Sequence, residues 1–165
     1  MRLLIFSTEF SPGPGGLGTH AYQQAHHFQA LGWQVTVLTH QDYLSDSEIE
    51  SFNSRQPFRV LRLTRSGGAI REAIYRLHAL RHALAESGAD VLMATGERAV
   101  LLVALAQLSV PWVAVWHGVV PPFAWQRAVA RLAYGHADAV IAVSHYTAGR
   151  MQAMGVRPRA LHISP

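Results

Sequence analysis

Short β-branched and aliphatic runs alternate with longer stretches of helical period along the whole chain, and this alternation constrains the fold more than any motif does. Runs such as LLIF, VTVL and WVAVW are apolar on both faces, which suits strands buried between two helix layers and paired in parallel. Strands are expected at Arg2 to Ser7, Gln34 to Thr39, Arg59 to Leu63, Val91 to Ala94, Trp112 to Trp116, Ala139 to Val143 and Ala160 to Ile163. Helices fit Gly18 to Leu31, Ala69 to Glu86, Glu97 to Leu108, Ala124 to Tyr134 and Tyr146 to Met154. The first ends at Leu31-Gly32, a glycine placed where a left-handed cap is wanted. His40 to Pro57, rich in Ser, Asp, Asn and Gln, is the one long connection and is expected to include a mobile loop.

The fold class is therefore α/β, a Rossmann-like three-layer domain on a parallel sheet of about seven strands. At 165 residues, half of them hydrophobic, the chain suffices for one compact domain. The absence of cysteine excludes disulfides, thiolate zinc sites and cysteine nucleophiles. The absence of lysine excludes Schiff-base chemistry and a Walker-type phosphate lysine. No cofactor is expected. MRLLIF reads as a buried first strand rather than a signal peptide, and LLVALAQLSVPWVAVW is broken by Gln107, Ser109 and Pro111, so no membrane span is expected. A cytoplasmic protein is expected, at most peripheral on a membrane. Every cation behind the +4 formal charge is an arginine. Arg55, Arg59, Arg62, Arg65, Arg71, Arg76 and Arg81 form either a solvated face or an attraction for phosphates or anionic lipid. No nucleic-acid partner is expected.

Gly13, Gly15, Gly16 and Gly18 lie between the first strand and the first helix. Free N–H groups and a partial positive charge at a helix N-terminus, behind a loop without side chains, favour an anionic guest. GPGGLG also matches the GxGxxG dinucleotide fingerprint. Against that reading, STEFSP separates the loop from its strand, and the second strand ends in Thr39 and His40 before Asp42 is reached. A turn that merely reverses the chain is the third reading.

Ten histidines invite a metal site, but His26-His27 and the His78/His82 pair bring no third ligand and no HExxH glutamate. Ser144, in VSHYT, lacks the glycines of a nucleophile elbow, and its bland role is the N-cap of the following helix. The helix from Ala69 carries Ile70, Ile74, Leu77, Leu80 and Leu84 on one side, for core packing or for a membrane surface. The apolar loop GVVPPFAW either covers a ligand or caps the next helix.

Taken in order, these segments resemble one known family. FSPGPGGLGTHAYQQAHHFQALGWQVTVLT resembles the opening of the large retaining GT-B glycosyltransferase family that includes sucrose synthases, glycogen synthases and bacterial mannosyltransferases. ADVLMATG resembles its fourth strand, VPWVAVWHG its fifth strand ending in His-Gly, and ADAVIAVSHYTAGRMQAMGV its strand and helix with a serine after the strand. ALHISP resembles the segment before the interdomain linker. The resemblance implies that residues 1–165 are the N-terminal, acceptor-side half of the GT-B fold, with the C-terminal nucleotide-sugar-binding domain beyond Pro165. It implies that the backbone of Gly15, Gly16, Leu17 and Gly18 lines the cleft, that His117, followed by Gly118, contacts the sugar near the reacting centre, and that Ser144 faces the cleft. The implied partners are a nucleotide-sugar donor, held mostly by the missing domain, and a glycan or lipid-linked acceptor. The family's donor-binding Arg and Lys pair and its two spaced glutamates have no counterpart here, so the chain alone is expected to be inactive. The first alternative is a non-catalytic binding or scaffold module of the same fold, and the second is a nicotinamide-binding Rossmann domain.

Overall fold

The structure is a computed structural model that describes residues 1–40, 44–64 and 67–164. Asp42, Arg65 and Pro165 lie outside the described residues. In chain order the elements are β1 (Arg2–Ser7), α1 (Gly16–Ala30), β2 (Gln34–His40), α2 (Asp46–Asn53), β3 (Arg59–Leu63), α3 (Ala69–Ser87), β4 (Val91–Thr95), α4 (Glu97–Ala106), β5 (Trp112–Trp116), α5 (Ala124–Gly135), β6 (Ala139–Ala142), α6 (His145–Ala153) and β7 (Leu161–Ile163). All seven strands pair in parallel in the order β3-β2-β1-β4-β5-β6-β7. The direction of winding thus reverses between β1 and β4, where an open α/β sheet leaves a crevice outside its carboxyl ends.

Two cores flank the sheet, as the period of two along each strand requires. Leu4, Phe6, Leu38, Leu92, Ala94 and Trp116 face one core together with residues of α3, α4, α5 and α6. Leu3, Ile5, Val35, Val37, Met93 and Val115 face the other, which α1 covers with Ala21 and Ala25. The small alanines let α1 lie close to the sheet, and Gly32 beyond its end has the left-handed φ of 82° that the C-cap reading requires.

Two expectations are corrected. His40 to Pro57 contains helix α2, nucleated by a capping box in which the Ser45 N–H donates to Glu48 Oε2 at 3.0 Å, with Ile49 buried beneath it. The arginine cluster is not uniformly solvated. The Arg76 side chain is only 12% exposed and pairs with Glu72 at 2.6 Å. Arg62 is half-buried and donates to Ser11 O and Asn53 Oδ1, tying β3 to α2 and to the loop before α1. Along α3, Leu77, Leu80 and Leu84 join the core, whereas Ile70 and Ile74 are 78% and 64% exposed. Among the described residues, no helix is long and apolar enough to cross a membrane.

Candidate functional site

On the α1 side of the sheet, each central strand changes character at its carboxyl end. The inward positions run Leu3, Ile5, Ser7 on β1, Val35, Val37, Thr39 on β2 and Met93, Thr95 on β4, while Val115 on β5 is followed two residues later by His117. Ser7, Thr39 and Thr95 are completely buried. Apolar periodicity thus gives way to hydroxyl and imidazole groups at one edge of one face, beside the switch point between β1 and β4.

His117 is the centre of this polar rim. Thr95 pairs with Val115 across β4 and β5, so a ring two residues beyond Val115, just past the end of β5, reaches back over Thr95. Its Nε2 is 2.9 Å from Thr95 Oγ1. From α1, His20 packs edge-on against it, with ring centroids 5.0 Å apart. Burial, helped by repulsion from His20, pushes the His117 pKa down to about 4, so the imidazole is neutral at pH 7. Burial lowers the His20 pKa too, and among the described residues its Nδ1 is buried without a hydrogen-bond partner. Unpaired polar atoms are costly away from a site that uses them.

The glycine loop meets this rim, though its members play different parts. Gly16 begins α1 and has open space around it. The Gly15 carbonyl accepts from Thr19 N and Oγ1, and a Cβ on Gly15 would come 2.6 Å from Glu9 Oε2. The Glu9 carboxylate thus lies near the N-terminus of α1, and a phosphate arriving there competes with it. Gly18 faces inward instead, where a Cβ would come 3.2 Å from Phe10 N. Leu17 leans toward the turn after β4, since a Cβ on Gly96 would meet Thr8 Oγ1 at 2.5 Å and Leu17 Cδ1 at 3.2 Å. Gly96, at φ 91°, and Gly118, at φ 88°, both hold conformations that side chains resist. A Cβ on Gly118 would lie 2.6 Å from Thr147 Cγ2, so the chain leaves His117 in a tight turn against α6.

Ser144 caps α6. Its Oγ accepts from Thr147 N at 3.2 Å, and its own N–H donates to Thr147 Oγ1 at 3.1 Å. The adjacent Arg150 lies over the Tyr146 ring on the surface. Among the described residues, no three histidine or acidic side chains gather as a metal cage would require. His26 instead bonds Gln56 Oε1 at 3.1 Å, and His82 lies 3.7 Å from Glu86.

The structure therefore brings together Gly15, Gly16, Leu17, His117 and Gly118, and it adds Thr95, Gly96 and His20. The signal for Thr95 was present as the polar end of an apolar strand. No local pattern marks His20, which meets His117 only through the packing of α1 on the sheet.

The profile of Glycosyltransferase Family 4 matches residues 14–165. A sucrose-phosphate synthase from Thermosynechococcus elongatus superposes with a TM-score of 0.76 at 15% identity, covering 100% of this chain and 88% of that one. HepE from Anabaena, solved in complex with UDP and glucose, gives a TM-score of 0.70 at 19% identity over 97% of this chain and 43% of its own. UDP-GlcNAc 2-epimerase from Methanocaldococcus jannaschii gives 0.68 at 16% identity over 99% and 45%. The chain thus spans less than half the length of the last two, and at such identities the likeness is one of fold. No curated protein matches the chain.

Proposed function

The chain belongs to Glycosyltransferase Family 4, and we propose that it forms the acceptor-side wall of an enzyme that moves a sugar from a nucleotide sugar to a glycan or lipid-linked acceptor with retention. The observation that carries this reading is the convergence of the open start of α1, the Gly96 turn and His117 at the switch point of the sheet, where ligands of open α/β folds bind. The UDP and glucose named for HepE support a nucleotide-sugar donor.

In this reading the leaving diphosphate is stabilised electrostatically, while the sugar passes through an oxocarbenium-like state. Most of the charge that holds the donor comes from a second domain. His117, neutral at working pH, positions the sugar by hydrogen-bonding a hydroxyl near the anomeric carbon, a task for which a cation is not needed. Thr95 and His20 hold its ring. Gly15 and Gly16 offer backbone to the donor or acceptor, and Ser144 contributes mainly by fixing the start of α6 at the rim.

The test is a transfer assay on the intact enzyme, in which this chain is joined to its nucleotide-sugar-binding half, with a panel of UDP- and GDP-sugars. Transfer with the anomeric configuration preserved, and no turnover by the 165-residue chain alone, is the expected result. Inversion at the anomeric carbon, or full turnover by the chain alone, contradicts the proposal.

A further inference from the structure

The loop Gly118 to Phe123 and helices α4 and α5 enclose a groove of about 300 Å³ that the His117 site does not use. Its walls are Leu101 on α4, Val119, Pro121 and Pro122 in the loop, and Trp125 and Val129 on α5. Trp125 and Val119 remain 66% and 62% exposed. Isolated exposed hydrophobics need no explanation, but a contiguous concave set does.

Three features mark a built site. The loop wall is stiff, because two consecutive prolines restrict it and Arg127 Nη1 donates to Pro121 O at 3.2 Å and to Pro122 O at 2.7 Å. The groove also contains polar groups, Glu97, Arg98 and Gln126. Gln126 Oε1 is buried with no hydrogen bond among the described residues, and the half-buried Glu97 carboxyl has its pKa raised by burial. Finally, the groove opens at the carboxyl end of the sheet, since Glu97 begins α4 directly after Gly96 and Val119 follows His117-Gly118. An apolar cavity of this size with a few convergent polar groups is the usual form of a small-molecule site.

We infer that this groove binds the apolar aglycone or chain of an amphiphilic acceptor, whose hydroxyl-bearing head donates to Gln126 and Glu97 while its body lies on Trp125 and the proline wall. The inference rests on the glycosyltransferase reading above and names the class of acceptor within it. A wholly polar glycan would leave the apolar wall in water. An amphiphile covers the wall and satisfies the Gln126 oxygen together.

Calorimetric titration of the 165-residue chain with octyl glucoside, below its micelle concentration, tests this against methyl glucoside, which carries the head alone. Saturable one-site binding at least tenfold tighter for octyl than for methyl glucoside is expected. Trp125→Ala and Val119→Asp, both at exposed positions, should each weaken it at least tenfold with an unchanged circular dichroism spectrum. Absent saturation, equal affinity for the two glucosides, or indifference to both substitutions overturns the inference. So does Trp125-dependent sedimentation with phosphatidylcholine vesicles in the absence of octyl glucoside binding, which makes the surface a bilayer contact. The titration needs no donor, so its failure leaves sugar transfer by the intact enzyme standing. Failure of transfer likewise leaves the measured binding standing.

Discussion

The two ends of the same parallel sheet are built on opposite plans. At the amino end, strand starts are tied by carboxylates: Arg2 N and Nη2 donate to Asp90, and Trp112 N and Arg159 Nη1 donate to Asp138. At the carboxyl end, the described groups include an imidazole nitrogen without a partner, two histidines whose pKa values burial lowers, and glycine turns at Gly96 and Gly118 held in conformations that side chains resist. One end closes the domain, and the other holds unsatisfied polarity ready for a ligand. Left-handed turns occur at both ends, at Gly32 and Gly88 as at Gly96 and Gly118, so the contrast lies in the unpaired and burial-shifted polar groups of the carboxyl edge, which are what a binding cleft requires.

The largest expected effect breaks the carboxyl end chemically. His117→Ala in the intact enzyme should lower kcat by about 10²–10³, the scale of losing one preorganised hydrogen bond at a reacting centre, while urea unfolding stays nearly unchanged because the ring is only half-buried. Loss of stability without loss of rate would move His117 to the structural side of the comparison. Next, Gly96→Val should cost about 2–3 kcal/mol in urea unfolding, because the new Cβ collides with Thr8 and must hold φ 91°.

Acid titrates the two ends in different windows. The folded-state pKa of His117 lies below its ordinary 6.5, at about 4, so the unfolded chain binds the proton first and stability falls as pH drops from 6.5 to 4. That loss should be about 1–2 kcal/mol after allowing for solvent screening of the partly open ring, and His117→Gln should flatten it. At the amino end, hydrogen bonds from Arg2 hold the Asp90 carboxyl below its ordinary 3.8. Its contribution is therefore present at neutral pH and disappears only as pH falls through that lower folded value. The smallest effect is the amino-end control. Asp138→Asn should cost about 0.5 kcal/mol in urea unfolding and leave transfer unchanged, since the amide keeps an oxygen to accept from Trp112 N and loses only the charge of the exposed pair with Arg159.

The fold was legible because buried parallel strands announce themselves by length and by apolarity on both faces, and six of the seven start where the sequence indicates. Helix α2 was hidden in a polar stretch because its signal is a short Ser45-Asp46-Ser47-Glu48 cap with Ile49 as the one fully buried side chain. The exposure of Ile70 and Ile74 was invisible because helical period marks an apolar stripe without showing which of its residues meet the core. For the candidate site, His117 and the glycine loop were singled out through a family resemblance joined to their places at a strand end and a helix start. Gly18 shows the limit of that reasoning, since its lack of a side chain serves the close approach of Phe10. Thr95 and His20 belong to other elements, and only the packing of α1 over β4 and β5 joins them to His117.

The most direct test of the contrast between the two ends is amide chemical-shift mapping of the intact enzyme while UDP-glucose, UDP-GlcNAc and GDP-mannose are added in turn. The account predicts saturable shifts from one of them at Gly15, Gly16, Gly96, His117 and Gly118, with Arg2, Asp90, Trp112 and Asp138 unmoved. Shifts concentrated at the amino end, or a carboxyl end that stays silent while the enzyme transfers sugar, would contradict it.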